Sequence, residues 1–379
     1  MNKPLRLYFV IGEVSGDTLG ADLIGGFAKL NRKVEPFGLG GPKMHALGLQ
    51  SLFDVNEIAV MGLSGIVAKL PTLIQRVRAV VKDVIDKKPD AVILIDSPEF
   101  AKQIAIRVKR KMPNVPIIKY VCPSVWAWRE NRAKKMNAYL DHVLAILPFE
   151  PELLKQLGGP DATYVGHPLA RLAGKIKAKD KRTPANPATV LLMPGSRKGE
   201  IHRMLPIIEK TVDLLAERGT TARYILPAVS HLAEELKMKT SSWKQNISIV
   251  EGEAAKQKAF DSADLAIATS GTAILELAMH MVPCISIYKL DPALNAIRFI
   301  IKAWTAALPN LIADKVIVPE RINQFAHPEY IARLAEALMV AGPERDAQLN
   351  GFELVHQRMK QKKQPAVIAA RIILDLTKT

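Results

Sequence analysis

Cysteine is nearly absent: Cys122 and Cys284 are the only two in 379 residues, far apart and each in an apolar context. No disulfide framework holds such a chain, and a reducing compartment is expected. No run of eighteen uncharged apolar residues occurs, so no segment is suited to span a membrane as a helix. Residues 1–6 lead straight into an apolar stretch without the cleavage pattern of a secretory signal, and a cytosolic protein is the expectation. The full Gly-x-Gly-x-x-Gly fingerprint of dinucleotide folds is missing, and so is the Gly-Lys-Ser/Thr of a P-loop. There is no Asp-x-Asp pair, no helix-turn-helix, no zinc motif and no aromatic RNA-binding motif. Short-period repeats and low-complexity tracts are absent too.

What is present is charge and alternation. Lys and Arg number 53 against 37 Asp and Glu, a formal net charge of +16. A phosphorylated substrate, an anionic membrane or nucleic acid would each satisfy that balance, and a well-solvated surface without a partner is the plain alternative. At 49% hydrophobic and 24% charged residues the chain is globular, and its length implies two domains.

Short apolar strands are expected at 6–11, 34–37, 91–95, 117–121 and 142–147, with helices near 17–30, after Pro71 and at 100–111. The alternation stops at the basic, Pro-containing segment 174–187, which reads as an interdomain linker, and then resumes. Strands follow at 189–193, 224–226, 247–250, 265–268 and 284–288, helices at 200–218, 232–240 and from Thr272, and terminal helices at 328–340, 344–360 and 365–376. The expected architecture is α/β, two Rossmann-like, doubly wound domains facing a cleft: 1–173, then 188–345, with 346–379 free to pack back on the first domain. Ligands in such sheets sit at the carboxyl ends of the strands, so the strand-to-helix loops carry the chemistry.

After the strand at 265–268, Ser270-Gly271-Thr272 offers an N-cap, a close-approach glycine and two hydroxyls where helical periodicity begins. That is a socket for a phosphate or diphosphate, held by backbone N–H groups and the helix dipole. Glu276 follows four residues later, about 6 Å along the axis, suited to accept hydrogen bonds from the hydroxyls of a ribose. Met193-Pro194-Gly195-Ser196-Arg197 is again a strand, a tight glycine loop and a helix start, and Arg197 could clamp a phosphate bidentately.

In the first half, Asp96 closes the apolar strand 92–95, with Pro98 forcing a turn. A carboxylate there stands partly desolvated at the mouth of a cleft, which strengthens it as a base. Capping of the next helix by Asp96 or Ser97 is the structural alternative. The loop Gly12-Glu13-Val14-Ser15-Gly16-Asp17 either faces the cleft with Glu13, Ser15 and Gly16 or is a turn capped by Asp17. Pro123-Ser124-Val125-Trp126-Ala127-Trp128-Arg129 holds two of the four tryptophans at a spacing that cannot share one helix face, so one is available to a sugar or a lipid interface. His167, alone before Pro168, has an open role.

Residues 58–74 are apolar on nearly every side and are followed by Arg76 and Arg78. They form either a core helix or an interfacial patch, with Met61, Leu63, Ile66, Val67, Leu70, Leu73 and Ile74 meeting acyl chains and the arginines meeting anionic headgroups.

On these motifs, with Pro123–Arg129 the most specific, the chain from about residue 8 to its terminal helices resembles the lipid-A-disaccharide synthases, glycosyltransferases of the two-Rossmann-domain (GT-B) type. It departs from their usual pattern at Glu99, Ala101 and Cys122. The resemblance implies transfer of 2,3-diacylglucosamine from its UDP conjugate to the 6-hydroxyl of 2,3-diacylglucosamine 1-phosphate, at the cytoplasmic face of the inner membrane. It makes Asp96 the essential acidic residue and Arg197, Glu276 and Asn310 the UDP-side contacts. Neither a cofactor nor a metal is implied, since Arg197 and helix N-termini would neutralise the diphosphate. A non-hydrolysing UDP-sugar epimerase would share the fold and socket without needing the 58–74 patch, and a nucleic-acid-binding protein would leave the glycine loops idle. Oligomeric state is left open.

Overall fold

The computed structural model describes residues 3–12, 14–58, 62–128, 130–181, 183–291 and 302–378, with the side chains of 14, 15, 62–69, 179 and 181 left aside. Among these the chain divides into two compact units, Met1–Pro168 with Gln361–Thr379, and Leu169–Lys360.

The first unit runs β1 (Leu5–Ile11), α1 (Val14–Lys29), β2 (Val34–Leu39), α2 (Pro42–His45), β3 (Gln50–Ser51), α3 (Gly62–Lys87), β4 (Ala91–Ile95), α4 (Pro98–Lys111), β5 (Ile117–Tyr120), α5 (Asn131–Met136), β6 (His142–Ala145), α6 (Glu150–Gln156) and β7 (Ala162–Tyr164). Its strands form one parallel sheet in the order β3-β2-β1-β4-β5-β6-β7. The central strands β4 and β5 are buried along their whole length, because crossover helices cover both faces of a parallel sheet.

The second unit repeats the scheme with β8 (Ala188–Met193), α7 (Lys198–Glu217), β9 (Ala222–Ala228), α8 (Ser230–Thr240), β10 (Ile247–Glu251), α9 (Glu253–Ser262), β11 (Leu265–Thr269), α10 (Thr272–Met279), β12 (Cys284–Tyr288), α11 (Leu308–Ala313), β13 (Glu320–Ile322), α12 (Pro328–Leu338) and α13 (Pro343–Met359). Its parallel sheet has the order β10-β9-β8-β11-β12-β13. The last helix, α14 (Pro365–Leu376), belongs to the first unit and packs on α1 with Ala369, Ala370 and Ile373 buried.

In each sheet the strand order reverses once, between β1 and β4 and between β8 and β11. The helices following those two strands leave to opposite faces, and a crevice opens at their carboxyl ends. Topology alone therefore selects the four loops that follow β1 and β4 in one unit and β8 and β11 in the other.

Several boundaries differ from expectation. The chain crosses between the units at Pro168/Leu169 and Lys360/Gln361, and the segment 174–187 is packed onto the second unit. There Gly174 N–H donates to His356 Nδ1 at 3.1 Å, Ala178 is buried, and Ala185 N–H donates to Asp264 Oδ1 at 3.1 Å. Residues 346–379 divide too, α13 staying with the second unit and α14 joining the first. Helix α3 starts at Gly62 and continues through Pro71, giving up one backbone hydrogen bond there.

Asp17 is a buried anchor of the first unit. Its carboxylate accepts from the backbone N–H of Gly41 at 3.0 Å, Lys43 at 2.9 Å and Met44 at 3.1 Å, so it caps α2 from the neighbouring helix. Asp17→Ala leaves three helix-start donors without an acceptor and should lower stability by about 3 kcal/mol. Urea unfolding checks this, and a midpoint within error of wild type would refute the anchoring role.

Candidate active site

In the second unit the switch point is the floor of a pocket of about 720 Å³. Four helices begin at its wall, and their N-cap residues, Arg197 of α7, Val229 of α8, Gly252 of α9 and Gly271 of α10, all line it. None of the four receives a side-chain capping hydrogen bond. A helix start leaves its first N–H groups unsatisfied and carries roughly half a positive charge, so four uncapped starts around one cavity make an anion site.

The local sequence explains the shape. Gly271 has φ 148°, ψ −160°, a region open essentially to glycine, which lets the chain leave β11 and enter α10 without a cap. Gly195 has φ 111°, and a Cβ there would stand 2.7 Å from Glu200 Oε2. Glu200 is thus tucked beneath the loop, where it holds Arg197 Nη1 at 2.8 Å. The Arg197 side chain is 67% exposed, and a pair this open is worth under about 1 kcal/mol. Arg197 can exchange Glu200 for a ligand phosphate at little cost.

The structure therefore brings Gly195, Ser196, Arg197, Ser270, Gly271, Thr272 and Glu276 together. It does not bring Asn310 to them. Asn310 is buried; its Nδ2 donates to Thr305 Oγ1 and Val318 O, and its Oδ1 accepts from Ile317 and Val318 N–H. Its hydrogen-bonding capacity is used in closing the α11–β13 connection.

In the first unit the switch point holds Asp96. Asp96 and Ser97 both lie in the left-handed region, at φ 54° and 43°, a strained turn for two consecutive non-glycine residues. Two contacts hold it. Gly12 packs so closely that a Cβ there would stand 2.0 Å from Ser97 Cβ, and the buried Lys119 amine of β5 donates to Asp96 O. A Cβ on Gly16 would stand 3.5 Å from Asp96 Oδ2, so the carboxylate abuts the first turn of α1, at the positive end of that helix. Lys119 escaped the sequence reading, although a cation within an apolar strand demands a partner and was the available signal.

The next strand ends gather a second polar cluster. Half-buried Trp126 packs edge-on against Phe149, centroids 5.8 Å apart, and Trp128 is exposed. Burial pushes the neighbouring Glu150 carboxyl up to about 8, against the opposing pull of the Leu147 N–H, the Trp126 indole and the Ile146 N–H. That indole N–H is itself buried without a hydrogen bond of ordinary geometry, so its help to the carboxylate is the weaker, dipolar kind. Burial likewise holds His167 down at about 4. His167 is half-buried and neutral at physiological pH.

Of the apolar stretch, Leu70 and Ile74 are 49% and 44% exposed, Leu73 packs on the core, and Arg78 is exposed. Arg76 differs from a free headgroup ligand, because it is paired with Glu57 and lies 4.6 Å over the Phe53 ring. Glu13, Met61 and Arg129, and the side chains of Ser15, Leu63, Ile66 and Val67, lie outside the described residues. Among the described residues no helix is long and apolar enough to cross a membrane.

Solved structures share this architecture. MurG of Acinetobacter baumannii matches with TM-score 0.62 at 14% identity, covering 98% of this chain and 100% of that one. A UDP-GlcNAc 2-epimerase from Neisseria meningitidis, solved bound to UDP-GlcNAc, matches with TM-score 0.60 at 14% identity over 99% and 100%. Two parallel-sheet units, each with its crevice at the strand-order reversal, define the GT-B fold. The sequence comparisons narrow the class. A family profile for lipid-A-disaccharide synthetase matches residues 7–372. The lipid-A-disaccharide synthase of Nitrobacter winogradskyi is 36% identical over 99% of this chain and 96% of its own length, and that of Rhodopseudomonas palustris 37% over 98% and 96%. The chain belongs to the lipid-A-disaccharide synthetase family and is a glycosyltransferase of lipid A biosynthesis.

Folding raises the Glu150 pKa from 4.5 to about 8, so the folded chain holds one proton more than the unfolded chain between those values. Stability from this group is complete below 4.5 and is lost as pH rises through about 8. His142, His167 and His356, which burial holds below 6.5, act oppositely and only below that value, so the interval from 6.5 to about 8 separates the Glu150 contribution from theirs. Glu150→Gln should flatten the decline of Tm across that interval, measured by calorimetry; an unchanged slope would contradict the burial argument.

Proposed function

We propose that the second unit binds the UDP of UDP-2,3-diacylglucosamine and that Asp96 of the first unit acts on the acceptor, 2,3-diacylglucosamine 1-phosphate. The observation that carries the donor half is the meeting of four uncapped helix starts at one pocket, with Arg197 beside them. The diphosphate lies against these N–H groups, and Glu276, further along α10, accepts from the ribose hydroxyls. Negative charge developing on the departing UDP is then met by dipoles already in place, an arrangement that favours the transition state over the bound donor.

Asp96 is the general base of this reading. It takes the proton of the acceptor 6-hydroxyl as that oxygen attacks the donor sugar C1 in line, displacing UDP with inversion and forming the β-1,6 link. Lys119 and the close approach of Gly12 support the role by fixing the loop on both sides. Both substrates carry acyl chains, and the exposed Leu70 and Ile74 beside Arg78 suit peripheral seating on the anionic cytoplasmic face of the inner membrane. Each basic residue near such a surface adds about 1 kcal/mol.

Asp96→Asn should lower turnover about a thousandfold while leaving the affinity for UDP unchanged. Steady-state assay and UDP titration of the same folded protein check both halves, and full turnover by the variant would remove Asp96 from the chemistry.

A further inference from the structure

The donor pocket contains a cation that the motif reading did not use. Lys256, which closes the first turn of α9, lines the pocket wall, and its Nζ lies 2.8 Å from Glu276 Oε1 and donates to Oε2 at 2.9 Å. The ammonium also stands 5.4 Å over the Phe260 ring, so the side chain is held from two sides. Both charged side chains are largely covered, at 29% and 25% exposure.

Placement near a helix start is electrostatically poor for a lysine, since the positive end of the dipole repels a cation. Four such starts surround this one. Glu276 has the mirror-image difficulty. It stands about 6 Å from the start of α10, where a bound diphosphate would repel it. Each charge thus removes the other's difficulty, and a carboxylate offering about four lone-pair sites still has acceptors to spare after binding one ammonium.

We infer that Lys256 is a positioning residue that fixes the Glu276 carboxylate for a ribose diol and offsets its charge beside the diphosphate. The inference rests on the nucleotide reading of the pocket and assigns to Lys256 the discrimination between ribo- and deoxyribonucleotides. Without the ammonium, Glu276 is both misoriented and repulsive; without either residue, the helix starts hold the diphosphate alone and the sugar goes unread.

Calorimetric titration of UDP and 2′-deoxy-UDP into wild type, Lys256→Met, Lys256→Arg, Glu276→Gln and the double variant Lys256→Met/Glu276→Gln tests this. Wild type should favour UDP. Lys256→Met should weaken UDP by about tenfold and narrow its advantage over 2′-deoxy-UDP. Lys256→Arg should keep both properties, and the double variant should bind both nucleotides alike, more tightly than Lys256→Met. If wild type binds UDP and Lys256→Met keeps both affinities, or loses them equally without recovery in the double variant, the role of Lys256 is overturned and the pocket stands. If wild type binds no UDP, the nucleotide reading falls and this inference with it.

Discussion

Parallel strands impose the constraint on which the rest depends. Each strand of a parallel sheet must return by a crossover, so successive helices all start at the same edge, and their positive ends accumulate there. Sequence can disperse that charge by supplying Ser, Thr, Asp or Asn caps. Around the second unit's pocket it does not: Arg197, Val229, Gly252 and Gly271 occupy the cap positions without a capping side-chain bond. The result is a preformed anion site whose donors are backbone groups. Such donors keep their charge at any pH and need little reorganisation when a ligand arrives.

The first unit applies the same topology to a different end. Its switch point carries Asp96 in a strained, left-handed turn, held by the buried Lys119 and the close packing of Gly12. A left-handed pair of non-glycine residues costs of order 1–3 kcal/mol per residue and persists only where its surroundings fix it. Glu150, buried nearby at a raised pKa, is a further stability cost on that side of the sheet. The second unit's switch point presents mainly backbone groups, while the first unit's presents a carboxylate side chain on a strained backbone turn.

Much of this was legible in the sequence, for a physical reason. Strands β4, β8 and β11 are short apolar runs ended by a residue that cannot continue them, and the loops after them carry Asp96, Gly195–Arg197 and Ser270–Thr272. Local signals of that kind depend on near neighbours alone. The short edge strands β3, β7 and β13 gave no apolar run, because an edge strand of two or three residues buries little. Partnerships across long separations left no trace either. Lys256 reaches Glu276 from another helix, Asp17 caps α2, and Asn310 is saturated by Thr305, Ile317 and Val318. The basic segment 174–187 carries the composition of a linker, yet His356 and Asp264 tie it to the second unit.

We propose one sugar transfer that uses UDP bound by the second unit and Asp96 of the first, and product analysis tests this proposal most directly. The purified chain would be incubated in mixed detergent micelles with UDP-2,3-diacylglucosamine, 2,3-diacylglucosamine 1-phosphate and EDTA, and the lipids weighed by mass spectrometry. The account predicts a disaccharide 1-phosphate joined through a β-1,6 link, with one UDP released per link formed. UDP or an epimerised sugar without any disaccharide would contradict it.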